Sequence, residues 1–193
     1  MSSETLVIIG LCVIALATVV VLALILSTRD GKRRRLQLRQ RFGPEYERAV
    51  EEYGSEELAE RALLTRAKRV KRLKLRELGT EARLRHTNAW ENVQRMFVDD
   101  PSGAVHEADH LIKRVMHDIG YPVEDFDQRV ADLSVDHASV VQHYRAARTL
   151  AAANREGRAN TEELRQAFVH YRALFADLLG EVPAPAVYQE ARA

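Results

Sequence analysis

A chain of 193 residues has room for an anchor and one domain of ordinary size, and 46% hydrophobic with 30% charged residues excludes a wholly disordered polymer. The one cysteine, Cys12, excludes a disulfide framework, a zinc ribbon and a thiol nucleophile paired with a second thiol. The formal charge of +1 hides an uneven distribution: seven Arg or Lys and one acid lie between Arg29 and Arg41, whereas beyond Arg41 there are 22 bases and 26 acids.

Thr5 to Thr28 contains no charged residue. At 1.5 Å per residue, the 22 positions from Thr5 to Leu26 form a helix of about 33 Å, enough to cross the hydrocarbon core. A cleaved signal peptide needs a basic start, a shorter apolar core and a small-x-small site. Met1-Ser2-Ser3-Glu4 has no base, and Ser27-Thr28-Arg29 is a poor site. Lipoprotein processing at Cys12 needs a small residue before it, where Leu11 stands. The bases Arg29, Lys32, Arg33, Arg34 and Arg35 follow the run, and the positive-inside rule places them in the cytoplasm. The expectation is a single-pass anchor over residues 1–28 in the inner membrane, N-terminus outside and domain cytoplasmic. The alternative places the domain on the external side.

Residues 29–54 read as a basic juxtamembrane helix and linker, interrupted at Gly43-Pro44, after which a short helix runs to Tyr53 and stops at Gly54. Ser55 is a good N-cap followed by Glu56 and Glu57, and the spacing predicts a helix from there to about Leu78. Thr80 is taken as the cap of a helix carrying Ala89, Trp90, Val93 and Phe97 at helical spacing. Asp100-Pro101 opens the next, with a stripe of Val105, Ala108, Leu111, Ile112, Val115 and Ile119, and Gly120 ends it. A turn at Tyr121-Pro122 precedes a short helix over Glu124 to Leu133. Asp136 is read as starting a helix with Val140, Val141, Tyr144 and Ala147 inward, ending near Gly157. Thr161 is read as capping the last, with Leu164, Phe168, Tyr171, Phe175 and Leu178 on one face and Gly180 closing it. The tail 181–193 is expected to be unstructured. The fold class is therefore all-α: one N-terminal transmembrane helix followed by a soluble helical bundle over residues 55–180.

Three constellations invite chemistry. His106-Glu107-Ala108-Asp109-His110 matches the two-histidine pattern of zinc proteases. Yet on a helical wheel His106, His110 and His117 lie roughly opposite the apolar stripe, and the charged Asp109 breaks the usual habit. Lys113 and Met116 stand where an extended motif needs glycine and histidine. A solvated polar face is the better account, and no metal site is assigned. Arg61, Lys68, Arg72 and Arg76 line one side of the predicted helix after Ser55, and are candidates for contact with anionic lipid or a partner. No basic–aromatic alternation favours nucleic acid. Glu124, Asp125, Asp127, Asp132 and Asp136 form an acidic stretch without the glycine-centred spacing of a calcium loop, so capping and solvation account for them. There is no glycine-rich phosphate loop and no Ser or Cys beside a suitable base, so neither a catalytic residue nor a cofactor is expected.

From about Leu36 to Gly180 the chain resembles a family of uncharacterised bacterial single-pass proteins, usually described as hypothetical membrane or secreted proteins. The resemblance rests on Arg41-Phe42-Gly43-Pro44-Glu45-Tyr46, Phe97-Val98-Asp99-Asp100-Pro101-Ser102-Gly103, Gly120-Tyr121-Pro122-Val123-Glu124-Asp125-Phe126, Ala131-Asp132-Leu133-Ser134-Val135-Asp136-His137 and Tyr171-Arg172-Ala173-Leu174-Phe175. It implies a membrane helix followed by a helical domain and no nameable activity, and it does not extend to His106 and His110. The sequence thus points to a non-enzymatic, membrane-anchored interaction or scaffold module, its partners the bilayer, a protein of unknown identity and an anionic lipid surface. A zinc-dependent hydrolase and a tether for nucleic acid are the disfavoured alternatives.

Overall fold

The computed structural model describes residue 18 and residues 33–180. The expected membrane span apart from residue 18, Arg29, Lys32 and the tail 181–193 lie outside the described residues. Two compact units divide the chain, residues 1–41 and 42–193. Residues 33–42 are helical (α1) and expose Arg33, Arg34 and Arg35. Among the described residues all regular structure is helical, and no helix is long and apolar enough to cross a membrane.

The second unit contains α2 (Pro44–Tyr53), α3 (Glu56–Val70), α4 (Thr80–Asp99), α5 (Pro101–Ile119), α6 (Phe126–Leu133), α7 (Ala138–Arg155) and α8 (Thr161–Leu178). Helix α5 packs against α4, α7 and α8, and α7 and α8 form a hairpin. The hairpin of α2 and α3 docks beside this bundle through α6 and α7. The compact unit begins at Phe42, so α2 belongs with the bundle and not with the juxtamembrane stretch assigned to it from sequence.

Local signals explain most boundaries. Pro44 occupies the first turn of α2, and Gly54 ends it in the left-handed conformation. Ser55 Oγ accepts a hydrogen bond from Leu58 N at 3.3 Å, capping α3 as expected. Asp100 Oδ1 accepts from Gly103 N at 2.8 Å, and Pro101 follows at the first helical position. Asp125 caps α6, accepting from Gln128 N at 2.6 Å, so that helix starts at Phe126 instead of Glu124.

Three other starts differ from expectation. Gly79, not Thr80, is the N-cap of α4. Helix α7 begins at Ala138 behind His137, because residues 134–136 are held in a turn that includes the bond of Ser134 Oγ to Ala131 O at 2.7 Å. Asn160, not Thr161, caps α8, in a reciprocal capping box with Glu163. In each case the true cap lies one or two residues from another residue of suitable type, and backbone geometry decides between them.

The larger correction concerns α3, which ends at Val70 and not at Leu78. Residues 74–79 form a non-helical strap. Arg76 N donates to Ile119 O at 2.9 Å, and Arg76 Nε donates to Asp118 O at 2.7 Å. Leu73 and Leu75 pack on the core while Lys74 and Arg76 are exposed, an alternation that a helix could not satisfy, since residues two apart point about 200° apart on it. Leu78 is buried at the end of the strap, and Arg83 secures it by donating to the carbonyls of Leu78 and Leu179.

The core lies along α5, where Ala104, Val105, Ala108, Leu111, Ile112, Val115 and Met116 have no exposed surface. Trp90 of α4 stacks on Phe168 and Phe175 of α8, with ring centroids 5.0 and 4.8 Å apart. The expected stripes of α5, α7 and α8 face inward, with Ile119 and Phe168 at the edge of the core.

Gly120 ties these features together. Its φ of 106° suits glycine, and a Cβ there would approach Lys74 O of the strap at 3.0 Å. Gly120→Ala is expected to destabilise the protein by about 1–3 kcal/mol, read as a lower urea midpoint with Trp90 fluorescence as the probe. An unchanged midpoint would show that the strap does not constrain this turn.

Candidate functional site

The four basic residues expected on one helix face are placed differently. Arg61 and Lys68 are on α3, but Arg72 lies in the turn after it and Arg76 on the strap. Arg61 pairs with Glu57 at 2.5 Å, and Arg76 is engaged with Asp118 O. All four are exposed, but they do not form a continuous helical stripe. Their neighbours are structural: Arg69 reaches Asp132 at 3.2 Å and Arg66 lies 3.8 Å from Glu52.

His106, His110 and His117 are exposed on α5, as the wheel predicts. The Nε2 atoms of His106 and His110 lie 3.0 Å apart, one ring donating to the other. Glu107, which a hydrolase would need as its base, is bonded by Arg114 at 2.7 Å. No group of three or more His, Cys, Asp or Glu that could hold a metal occurs among the described residues. Beside this face, His86 Nε2 and His117 Nδ1 approach the two oxygens of Asp118 at 3.0 and 3.5 Å, in a shallow cleft of about 540 Å³. Burial pushes the Asp118 carboxyl up, but the bonds from His86 and His117 outweigh it and hold the group below the usual range.

Asp109 departs from the expected solvated face, because it is buried between α5, α7 and α8. Its Oδ1 accepts from Tyr171 OH at 3.1 Å, while its Oδ2 lies 2.7 Å from Lys113 Nζ and 3.8 Å from Arg148. Burial raises its affinity for a proton, yet Lys113, Tyr171 and Arg148 together hold the carboxyl below its ordinary value. Tyr171 is pushed up by burial and by this same charge. Arg129, also buried, donates to Tyr144 OH at 2.6 Å and lies beside the rings of Phe126 and Tyr144, 6.0 and 5.9 Å from their centroids, with its Nε unpartnered. Burial pushes the Tyr144 hydroxyl up to about 12.

One concavity was not anticipated. Between α2, α6 and α7 lies a groove of about 620 Å³ lined by Arg48, Arg145, Arg148, Arg158, Phe126 and Asp127. Through Arg48, Asp127 and Arg145 it adjoins a cleft of about 690 Å³ bordered by α2, α3 and α6. Arg145 is fixed by Glu45, a carboxylate with 1% exposure, at 3.0 Å, and Gln142 donates to the same group at 2.7 Å. Arg148 lies over the face of Phe126, 5.3 Å from its centroid. Arg158 pairs with Glu156, and Arg48 is exposed on α2. The i,i+3 spacing of Arg145 and Arg148 was the available signal; the contributions of α2 and of the turn after α7 were not readable from it.

With this geometry in view, comparison with known proteins adds nothing further: no family model matches the chain, and no curated protein or solved structure is significantly similar to it.

Within the acidic stretch, Asp125 is a cap as expected, but Asp132 is fully buried and its Oδ2 has no partner. Burial is the dominant influence and raises its pKa above 3.8, despite Arg69 and Gln128. A carboxyl raised in the folded state stabilises the fold in its protonated form, an advantage present below pH 3.8 and lost as pH rises through the folded value. Asp132→Asn, neutral throughout, is expected to be more stable than the parent at pH 7, with the difference shrinking toward pH 4. Urea unfolding at the two pH values measures this, and a variant less stable at pH 7 would show that the Arg69 pairing dominates instead.

Proposed function

We propose that the chain is a membrane-anchored helical interaction module, with residues 1–28 as the anchor and the unit from Phe42 onward as the binding part. The observation that carries this reading is the uncharged run Thr5–Thr28 followed at once by Arg29, Lys32, Arg33, Arg34 and Arg35. The resemblance to bacterial single-pass proteins has the same implication. The helical unit supports a binding role because its charged side chains form ion pairs that set surface shape, and because its groove gathers arginines on a rigid frame. Tethering raises the effective concentration of such a module at the membrane, which suits scaffolding of a protein partner or attachment to an anionic lipid surface. It acts without chemistry of its own.

The flanking charges favour a domain on the cytoplasmic face of the inner membrane. Expressed in bacteria, the full chain is expected to stay in the membrane pellet after carbonate extraction, while a version lacking residues 1–28 leaves it. Reporters fused after Ala193 are expected to be active only when competent in the cytoplasm. Release of the full chain by carbonate would remove the anchor, and an external reporter signal would invert the orientation.

A further inference from the structure

We propose that the arginine-lined groove between α2, α6 and α7 binds a phosphate-bearing anion: a phosphorylated small molecule or a phospholipid headgroup. Four guanidinium groups from three segments of the chain, Arg48, Arg145, Arg148 and Arg158, border one groove whose lining includes a single acid, Asp127. Guanidinium presents its donors in a planar fork that matches two phosphate oxygens at once, and it is the side chain suited to such recognition.

Two of the four are positioned in advance. Glu45 holds Arg145 from beneath, and Arg148 lies on Phe126 with buried Asp109 behind it at 3.8 Å. These contacts offset part of the charge of the two arginines, but they remove the entropy cost of ordering long side chains when a ligand arrives. The positive charge left for a ligand then comes from Arg48 and, once its pair with Glu156 opens, from Arg158. The pair of Arg158 with Glu156 is exposed, with 67% and 57% of the side-chain surface accessible, and pairs of that kind are weak enough to be exchanged for a ligand.

Several cations around one groove favour a ligand with more than one negative charge, which a phosphate monoester has at neutral pH and a single carboxylate or a phosphodiester does not. The volume of about 620 Å³ falls in the range of small-molecule sites and confines the ligand more than a duplex surface would. This inference rests on the reading of the unit as a binding module but not on the membrane anchor.

The test uses the full chain in neutral detergent micelles at low ionic strength, titrated with inorganic tripolyphosphate in a calorimeter. Saturable binding at one site is expected, weakening as salt is added. The double variant Arg48→Gln, Arg158→Gln alters two exposed side chains and is expected to keep the thermal midpoint while binding at least about tenfold more weakly, the effect of losing one charge-assisted contact. Asp127→Asn is expected to bind more tightly than the parent. Micelles doped with phosphatidic acid, whose headgroup is a phosphate monoester, separate the sources. Competition with tripolyphosphate identifies a lipid headgroup, and its absence identifies a soluble phosphorylated compound. The proposal is overturned by an absence of saturable binding in the parent, or by variants that bind like it. Binding of duplex DNA that the double variant weakens, with none of tripolyphosphate, would assign the groove to nucleic acid instead. The anchor stands or falls separately, by carbonate extraction.

Discussion

The bundle is organised around the need to bury one side of α5. Seven of its residues between Ala104 and Met116 have no contact with solvent, and full burial of each larger side chain contributes about 1.5–3 kcal/mol before the entropy of ordering is subtracted. No single neighbour covers so wide a face. Helix α4 covers one flank with Trp90 and Val93, and the α7–α8 hairpin covers the other with Tyr144, Ala147, Ala167 and Tyr171. The strap over residues 74–79 closes the end at Gly120, where a Cβ would crowd the backbone carbonyl of Lys74.

That arrangement places Asp109 in an apolar setting, where a bare carboxylate would be costly. Lys113 from the next turn, Tyr171 from α8 and Arg148 from α7 supply the compensation, and so one residue of α5 selects polar groups on both helices of the hairpin. Glu45 plays the corresponding part where α2 meets α7, accepting from Gln142 and Arg145. Removing one member of such a set leaves a buried charge unmatched, which makes these pairs more effective in fixing which helices meet than in adding net stability.

The groove follows from the same ion pairs. Arg145 and Arg148 point along the α2–α6–α7 boundary because Glu45, Asp109 and Phe126 hold them there. A structural requirement, neutralising two buried carboxylates, thereby leaves arginines ordered at a surface. Arg48, and Arg158 through a pair with exposed Glu156 that a ligand can replace, add charge that no buried acid requires, which distinguishes a binding surface from a purely architectural one.

What could be read from sequence were features set by residues within one or two helical turns. The apolar stripe of α5, the stop at Gly54, the caps at Ser55 and Asp100 and the inward faces of α7 and α8 depend on spacing and on backbone preferences that act locally. The strap was missed although Leu73-Lys74-Leu75-Arg76 alternates, because four residues of alternation beside a basic helix look like its continuation until Ile119 offers a partner for Arg76. Asp109 and Asp132 looked like ordinary polar-face residues, and only the side chains brought over them from α8, α7 and α3 make them buried charges. The groove is the extreme case: its lining residues span positions 48 to 158 and come together only when α2 docks on α7. Sequence by itself determined the helices and their inward faces, since hydrophobic period and capping are properties of short segments. Tertiary structure alone decided which charges are buried and which arginines share a surface, since those depend on contacts between residues far apart in the chain.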